Sequence, residues 1–136
     1  MRFLWFAWLI VVISCSPTTD LEKYGPTTSS WHKDSVYRFE FLVEDSIKYD
    51  IKTLVKCNRE YPYYNLYFEY LLKKDDRIIE KKLDEIILFE GKTGRPLGKG
   101  IGSAYDHEYT ILPGYKFQQD GIYTVELAQF MRVDDL

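Results

Sequence analysis

The chain has 136 residues, and 18 Lys and Arg against 21 Asp and Glu give it a formal charge of −3. That suits one domain and supplies no general electrostatic attraction for nucleic acid or an anionic membrane face. Aromatic residues make up 17% of the chain, with 12 Tyr, 8 Phe and 3 Trp, which excludes low-hydrophobicity disorder for most of it. Two Cys exclude a multi-disulfide framework, and His32 and His107, far apart in sequence, leave little for a histidine-built metal site.

The chain starts with Arg2, an uninterrupted apolar run from Phe3 to Ile13, and the small Ser14. This is the order of a signal peptide, so residues 1–14 are read as one. The run is far shorter than the roughly 20 residues of a membrane-crossing helix. Val12-Ile13-Ser14-Cys15 resembles the bacterial lipobox, with a branched apolar residue at −3 and a small residue at −1 before Cys. That resemblance makes Cys15 the lipid attachment site and the membrane the first partner, through several acyl chains, since one chain binds only marginally. Residues 15–30 are rich in Ser, Thr and Pro and nearly lack large apolar side chains, so they read as a lipid-anchored flexible tether ahead of a folded unit over 31–136. With Cys15 lipidated, Cys57 has no intrachain disulfide partner.

From Trp31 onward the dominant period is two. Tyr37, Phe39 and Phe41 share one strand face and Arg38 and Glu40 the other. Over Ile47 to Cys57, alternate residues from Ile47 share one face and the lysines the other, which places Cys57 on the core side as an inert thiol. Tyr64 to Leu72 is apolar on both faces apart from Asn65 and Glu69, predicting a central strand covered on both sides. Lys73-Lys74-Asp75-Asp76 reads as a polar turn. Residues 77–90 fit a helical stripe or a strand face; the absence of an N-cap and the β-branched content favour strand.

Residues 91–102 hold five of the 8 Gly and form a loop. Tyr109 to Leu112 and Ile122 to Met131 complete the strand set, the latter with Tyr123, Val125, Leu127 and Met131 facing inward. Six to seven strands, short turns and no βαβ unit predict a single all-β antiparallel sandwich.

Several chemical motifs fail on spacing. Gly94 to Gly100 has one residue too few for a phosphate loop and lacks the closing Ser or Thr, and Gly98, Gly100 and Gly102 miss the dinucleotide pattern at Ser103, so no nucleotide is expected. Asp106-His107-Glu108 names adjacent residues that point apart on a strand and cannot converge on one metal ion. Ser103 lacks the nucleophile-elbow context. No catalytic residue, metal or cofactor is therefore expected. The tyrosines of residues 61–70 allow a contact surface as well as a core strand, with Tyr61 and Tyr63, flanking Pro62, expected to be exposed.

Taken in order, Trp31…Asp34, Tyr61-Pro62-Tyr63-Tyr64-Asn65-Leu66 after Arg59, Gly98-Lys99-Gly100-x-Gly102 and Met131-Arg132-Val133-Asp134 resemble the GldH family of gliding-motility lipoproteins. The resemblance implies a non-enzymatic cell-envelope lipoprotein of gliding bacteria, acting by contacts with other gliding and type IX secretion proteins. It also implies an outer-membrane anchor with the domain on the periplasmic face, and carries over the lipidated Cys15. The surface expected to make protein contacts is the corner of Arg59, Tyr61, Tyr63 and Asn65. Similar proteins run past Met-Arg-x-Asp-x-Leu into another apolar strand, so a final strand is expected to be missing and a sheet edge open. The competing expectation is a surface module that binds glycans or peptides.

Overall fold

The computed structural model describes residues 22, 23, 25, 30–44 and 47–136. The expected signal peptide, Cys15 and most of the expected tether lie outside the described residues. Six strands follow: β1 Val36–Val43, β2 Lys48–Asn58, β3 Asn65–Lys74, β4 Arg77–Ile87, β5 Ala104–Lys116 and β6 Gly121–Gln129. All pairings are antiparallel, in a four-stranded sheet of order β1-β6-β3-β4 and a two-stranded sheet of β2 and β5. The ambiguous 77–90 region is strand β4 over Arg77–Ile87.

The period-two patterning decides which face each strand buries. Tyr37, Phe39, Phe41 and Val43 of β1 lie on the inner face of the larger sheet, beside Tyr123, Val125 and Leu127 of β6 and Leu66, Phe68, Tyr70 and Leu72 of β3. The small sheet covers them with Tyr49, Ile51 and Val55 of β2 and Tyr109 and Ile111 of β5. Rings lock the two layers. Phe68 meets Tyr109 edge-on with centroids 5.8 Å apart, and Phe117, just beyond β5, meets Phe41 at 5.8 Å and Tyr123 at 4.4 Å. Leu72 and Leu88 are fully buried, each contributing about 1.5–3 kcal/mol by removal from water.

Four expectations need correction. β3 is central in its sheet but covered on one face only: Tyr67 on the outer face is exposed, and Leu71 is half-buried. β5 extends well beyond Tyr109 to Leu112, because Asp106 and Glu108 simply face outward, and Pro113-Gly114 is absorbed by an irregularity opposite Asp50, whose carboxylate accepts the Gly114 N–H at 2.6 Å. β6 ends at Gln129, short of Met131, which lies beyond the strand but still packs against the core. Finally, Tyr61 is not an exposed residue: its ring stacks on Phe89 at 6.5 Å, and its hydroxyl donates to the Asn65 carbonyl at 2.9 Å.

Turn chemistry is local. Asp75 and Asp76 both take positive φ, 49° and 59°, the two-residue geometry whose twist matches a β-hairpin. The loop before β5 folds back so that Lys99 pairs with Asp106. A Cβ on Gly98 would stand 2.6 Å from the Asp106 carbonyl oxygen, and one on Gly100 would run into that of Ala104. Gly-Lys-Gly is thus required by the approach of two backbones, not by a phosphate. At the same end of the sandwich, Trp31 and Leu136 exchange backbone hydrogen bonds of 3.1 and 3.2 Å, and Lys33 N–H donates to Asp134 O at 2.7 Å.

Candidate functional site

The β2–β3 connection turns sharply through Asn58 to Tyr64 and carries the expected contact residues. Arg59 donates from Nε to the Tyr105 hydroxyl at 2.8 Å and lies over that ring, while Tyr105 in turn donates to Gly102 O at 2.9 Å. Asn65 is buried and donates to Glu85 on β4 at 2.5 Å. Tyr61 supports the corner from beneath, and burial pushes its phenol well above the ordinary range. Tyr63, half-buried, packs edge-on against Tyr61 at 5.7 Å and faces the surface on two sides. Of the four expected contact residues, Arg59 is exposed, Tyr61 and Tyr63 are half-buried and Asn65 is buried. Tyr64 has the ring the turn exposes.

Two shallow grooves meet at Tyr63. One, of about 550 Å³, runs past Arg59, Tyr64, Glu90 and Arg95 and is polar. The other, of about 580 Å³, lies on the uncovered face of the larger sheet and is apolar, lined by Tyr63, Tyr67, Leu83, Phe130, Met131, Arg132 and Val133. Leu83 is 48% exposed and Phe130 58%. Large apolar side chains left together in water mark an interaction surface more often than a scatter of single ones does.

The segment beyond β6 is held in place by a side chain that sequence reasoning missed. Gln129, almost fully buried, accepts from Met131 N–H at 2.8 Å and donates to Val133 O at 3.1 Å. Met131 Sδ then receives the Tyr67 N–H at 3.3 Å, and Phe130 N–H donates to Tyr67 O at 2.8 Å. The turn at 61–66 and the segment at 131–134, distant in sequence, therefore border one groove. Its signal in the sequence was the outward parity of Tyr67 and Leu83, legible only once β3 and β4 are known to be neighbours.

Elsewhere, Cys57 Sγ lies 3.3 Å from His107 Nε2 on the inner face of the small sheet. Burial raises the thiol pKa and lowers the imidazole pKa, so both groups are held neutral rather than as a reactive thiolate–imidazolium pair. Asp106 and Glu108 point to the opposite side, where they meet Lys56 and Lys52. Among the described residues, no group of three or more His, Cys, Asp or Glu is placed to hold a metal ion.

Comparison with known proteins places this geometry in a family. The family model described as GldH lipoprotein matches residues 21–136. The gliding motility lipoprotein GldH homolog of Christiangramia forsetii is 29% identical over 132 residues, covering 96% of this chain and 80% of that protein. The gliding motility lipoprotein GldH of Flavobacterium johnsoniae is 27% identical over 125 residues, covering 90% of this chain and 76% of its own. No solved structure matches this chain. The chain belongs to the GldH lipoprotein family.

Proposed function

We propose that this member of the GldH lipoprotein family serves gliding motility as a non-enzymatic lipoprotein of the cell envelope, anchored through Cys15 and acting by protein contacts in or near the type IX secretion and gliding machinery. The anchor sits in the outer membrane with the domain on the periplasmic side, a reading supported by Ser16 rather than Asp after Cys15. One observation carries the contact reading: the apolar groove between Tyr63 and Phe130. The Met131 segment along it is already held by the bonds from Met131 N–H to Gln129 and from Tyr67 N–H to Met131 Sδ, so a partner need not order that stretch on binding.

The test is a Tyr63→Ala/Phe130→Ser double variant in the lipidated full-length protein. It is expected to accumulate at the wild-type level, remain membrane-bound and abolish colony spreading, with loss of the envelope proteins cross-linked to the wild type. Normal spreading and an unchanged cross-linking pattern would refute the groove as the contact surface. Cys15→Ser is expected to lose palmitate labelling and membrane retention; labelling that survives it would overturn the anchor.

A second reading, a glycan- or peptide-binding module, is favoured by the polar groove, where the exposed Tyr64 ring stands near Arg59, Glu90 and Arg95. Saccharide-dependent quenching of tyrosine fluorescence, abolished by Tyr64→Ala, would establish it in place of the first.

A further inference from the structure

Ile101 is 98% exposed, the most of any large apolar side chain among the described residues, the next being Leu54 at 61%. It stands between Gly100 and Gly102 at the tip of a turn whose two arms are pinned. On one arm Lys99 and Asp106 exchange backbone hydrogen bonds of 2.9 and 2.7 Å. On the other, Arg59 N–H donates to Ser103 O at 3.2 Å and the Tyr105 hydroxyl donates to Gly102 O at 2.9 Å. The turn thus holds the side chain out in water instead of folding it against the sheets. One exposed apolar residue is ordinary, but Leu97 and Tyr64, 49% and 52% exposed, lie on the connections at the same end.

The strand register fixes which end this is. β1 and β3 begin and β4 and β6 finish there, and the connections 59–64 and 88–103 cross there to the last residues of β2 and the first of β5. Trp31, bonded to Leu136, joins the domain at that end as well. The chain from Cys15 to Trp31 spans at most about 55 Å even when fully extended, at about 3.3–3.6 Å per residue. A lipid on Cys15 therefore confines this end near a bilayer, whereas the opposite end lies a further β1 length, about 25 Å, from the point of entry.

The charges of the connections divide in the same sense. Those at the tether end carry Arg59, Lys92, Arg95 and Lys99 against Glu60 and Glu90, whereas those at the opposite end carry Glu44, Asp45, Asp75, Asp76 and Asp120 and no Lys or Arg. Lys33 and Arg132 on the neighbouring chain-end segments are offset by Asp34, Asp134 and Asp135, so the positive excess is local to the two connections. Arg59 stands against the base of the turn through its Nε bond to the Tyr105 hydroxyl, 2.8 Å long, and a guanidinium bonded there keeps further N–H donors for a lipid phosphate.

We propose that the Gly100-Ile101-Gly102 turn docks on the surface of the bilayer that holds the lipid anchor, a proposal that rests on lipid attachment at Cys15. Ile101 enters the boundary between headgroups and acyl chains, the amphipathic ring of Tyr64 lies at headgroup level, and Arg59 and Lys99 keep their charged heads among the phosphates. One side chain binds a bilayer weakly on its own, and the anchor makes it sufficient by turning the contact into an intramolecular one. The docked end leaves the outer face of the larger sheet, with its apolar groove, accessible to a protein.

The test is depth-dependent quenching in the purified, lipidated full chain on mixed phosphatidylethanolamine and phosphatidylglycerol vesicles whose acyl chains carry bromine. Ser103→Trp places an indole beside the turn, and Ile47→Trp places one at the opposite end, where Ile47 is 57% exposed. Bromine just below the headgroups is expected to quench the emission added by Ser103→Trp and to leave that added by Ile47→Trp unchanged. Adding Ile101→Asp to Ser103→Trp is expected to reduce the quenching about tenfold, the order by which one isoleucine side chain shifts a burial equilibrium. Equal melting temperatures confirm that folded proteins are compared. Vesicle-bound Ser103→Trp protein quenched no more than Ile47→Trp, quenching indifferent to Ile101→Asp, or protection of the introduced indole only when other envelope proteins are added would each overturn the proposal while leaving the anchor intact. Failure of the anchor is read separately, as wild-type protein that does not sediment with the vesicles, and it would overturn the docking with it.

Discussion

Cys57 Sγ lies 3.3 Å from His107 Nε2, joining the two strands of the small sheet on its inner face. Burial lowers the imidazole pKa from its ordinary 6.5 and raises the thiol pKa from its ordinary 9.0. The unfolded chain therefore binds a proton at His107 before the folded one does as pH falls, and loses one at Cys57 before the folded one does as pH rises. Stability from His107 is complete above about pH 6.5 and declines as pH falls toward its lower folded value. Stability from Cys57 is complete below about pH 9 and declines above it. The urea midpoint is expected to be flat between these limits and to fall on both sides. His107→Asn should remove the slope between pH 6.5 and 5, and a slope that persists unchanged would assign it to another group.

The backbone contact at the loop before β5 gives a sharper test. Gly98→Ala and Gly100→Ala insert a methyl against the carbonyl oxygens of Asp106 and Ala104, an overpacking that costs about 1–3 kcal/mol. Gly91→Ala, with nothing within 4 Å of its Cβ, is expected to stay within about 0.5 kcal/mol of wild type. Denaturant titration of the three variants checks the ranking.

Glu126 is buried on the outer face between Lys73 at 2.6 Å and Arg38 at 2.7 Å. Hydrogen bonding by Lys73, then by Arg38, holds its carboxyl below the ordinary range despite the opposing effect of burial. Glu126→Gln leaves Lys73 without its counter-charge and is expected to cost about 1–3 kcal/mol, since charged hydrogen bonds contribute more than neutral ones. The loss should shrink as pH falls from the ordinary Glu value of 4.5 through the lower folded value, because wild type then protonates too.

The hairpin turn offers a gain. Asp76 at φ 59° carries the left-handed strain of a residue with a Cβ, and Asp76→Gly is expected to stabilise by about 0.5–1 kcal/mol, the Asp-Gly pair being the favoured chemistry for this turn. A thermal melt shifted downward would show that Asp76 makes a compensating interaction.

Much of the sandwich was legible because its strands alternate cleanly. β1 and β2 alternate with a period of two apart from the outward Leu42 and Leu54, and Tyr37, Phe39, Phe41, Tyr49, Ile51, Val55 and Cys57 pack against the core as read, whereas Ile47, read onto the same face, precedes β2 and is exposed. β5 was read short because Asp106, Glu108 and Pro113-Gly114 look like loop chemistry, whereas an outward-facing edge strand tolerates all four. The groove was hidden for a different reason: Tyr67, Leu83, Phe130 and Met131 are adjacent only after β3 pairs with β4 and β6, and no local pattern encodes that neighbourhood. Tyr61 misled because a Pro-flanked tyrosine fits an exposed corner as well as the half-buried prop it proves to be.

The stitching of residues 31–33 to 134–136 has a mechanical consequence. If the lipid holds the chain at Cys15, tension that reaches Trp31 acts on a backbone bonded to Leu136, with Lys33 bonded to Asp134. Those residues directly follow Met131 to Val133, which line the apolar groove. A pull between membrane and partner would thus cross a few hydrogen bonds at one corner and bypass the aromatic interior. The sandwich would act as a rigid bracket for that corner, and the corner would yield before the sheets were sheared.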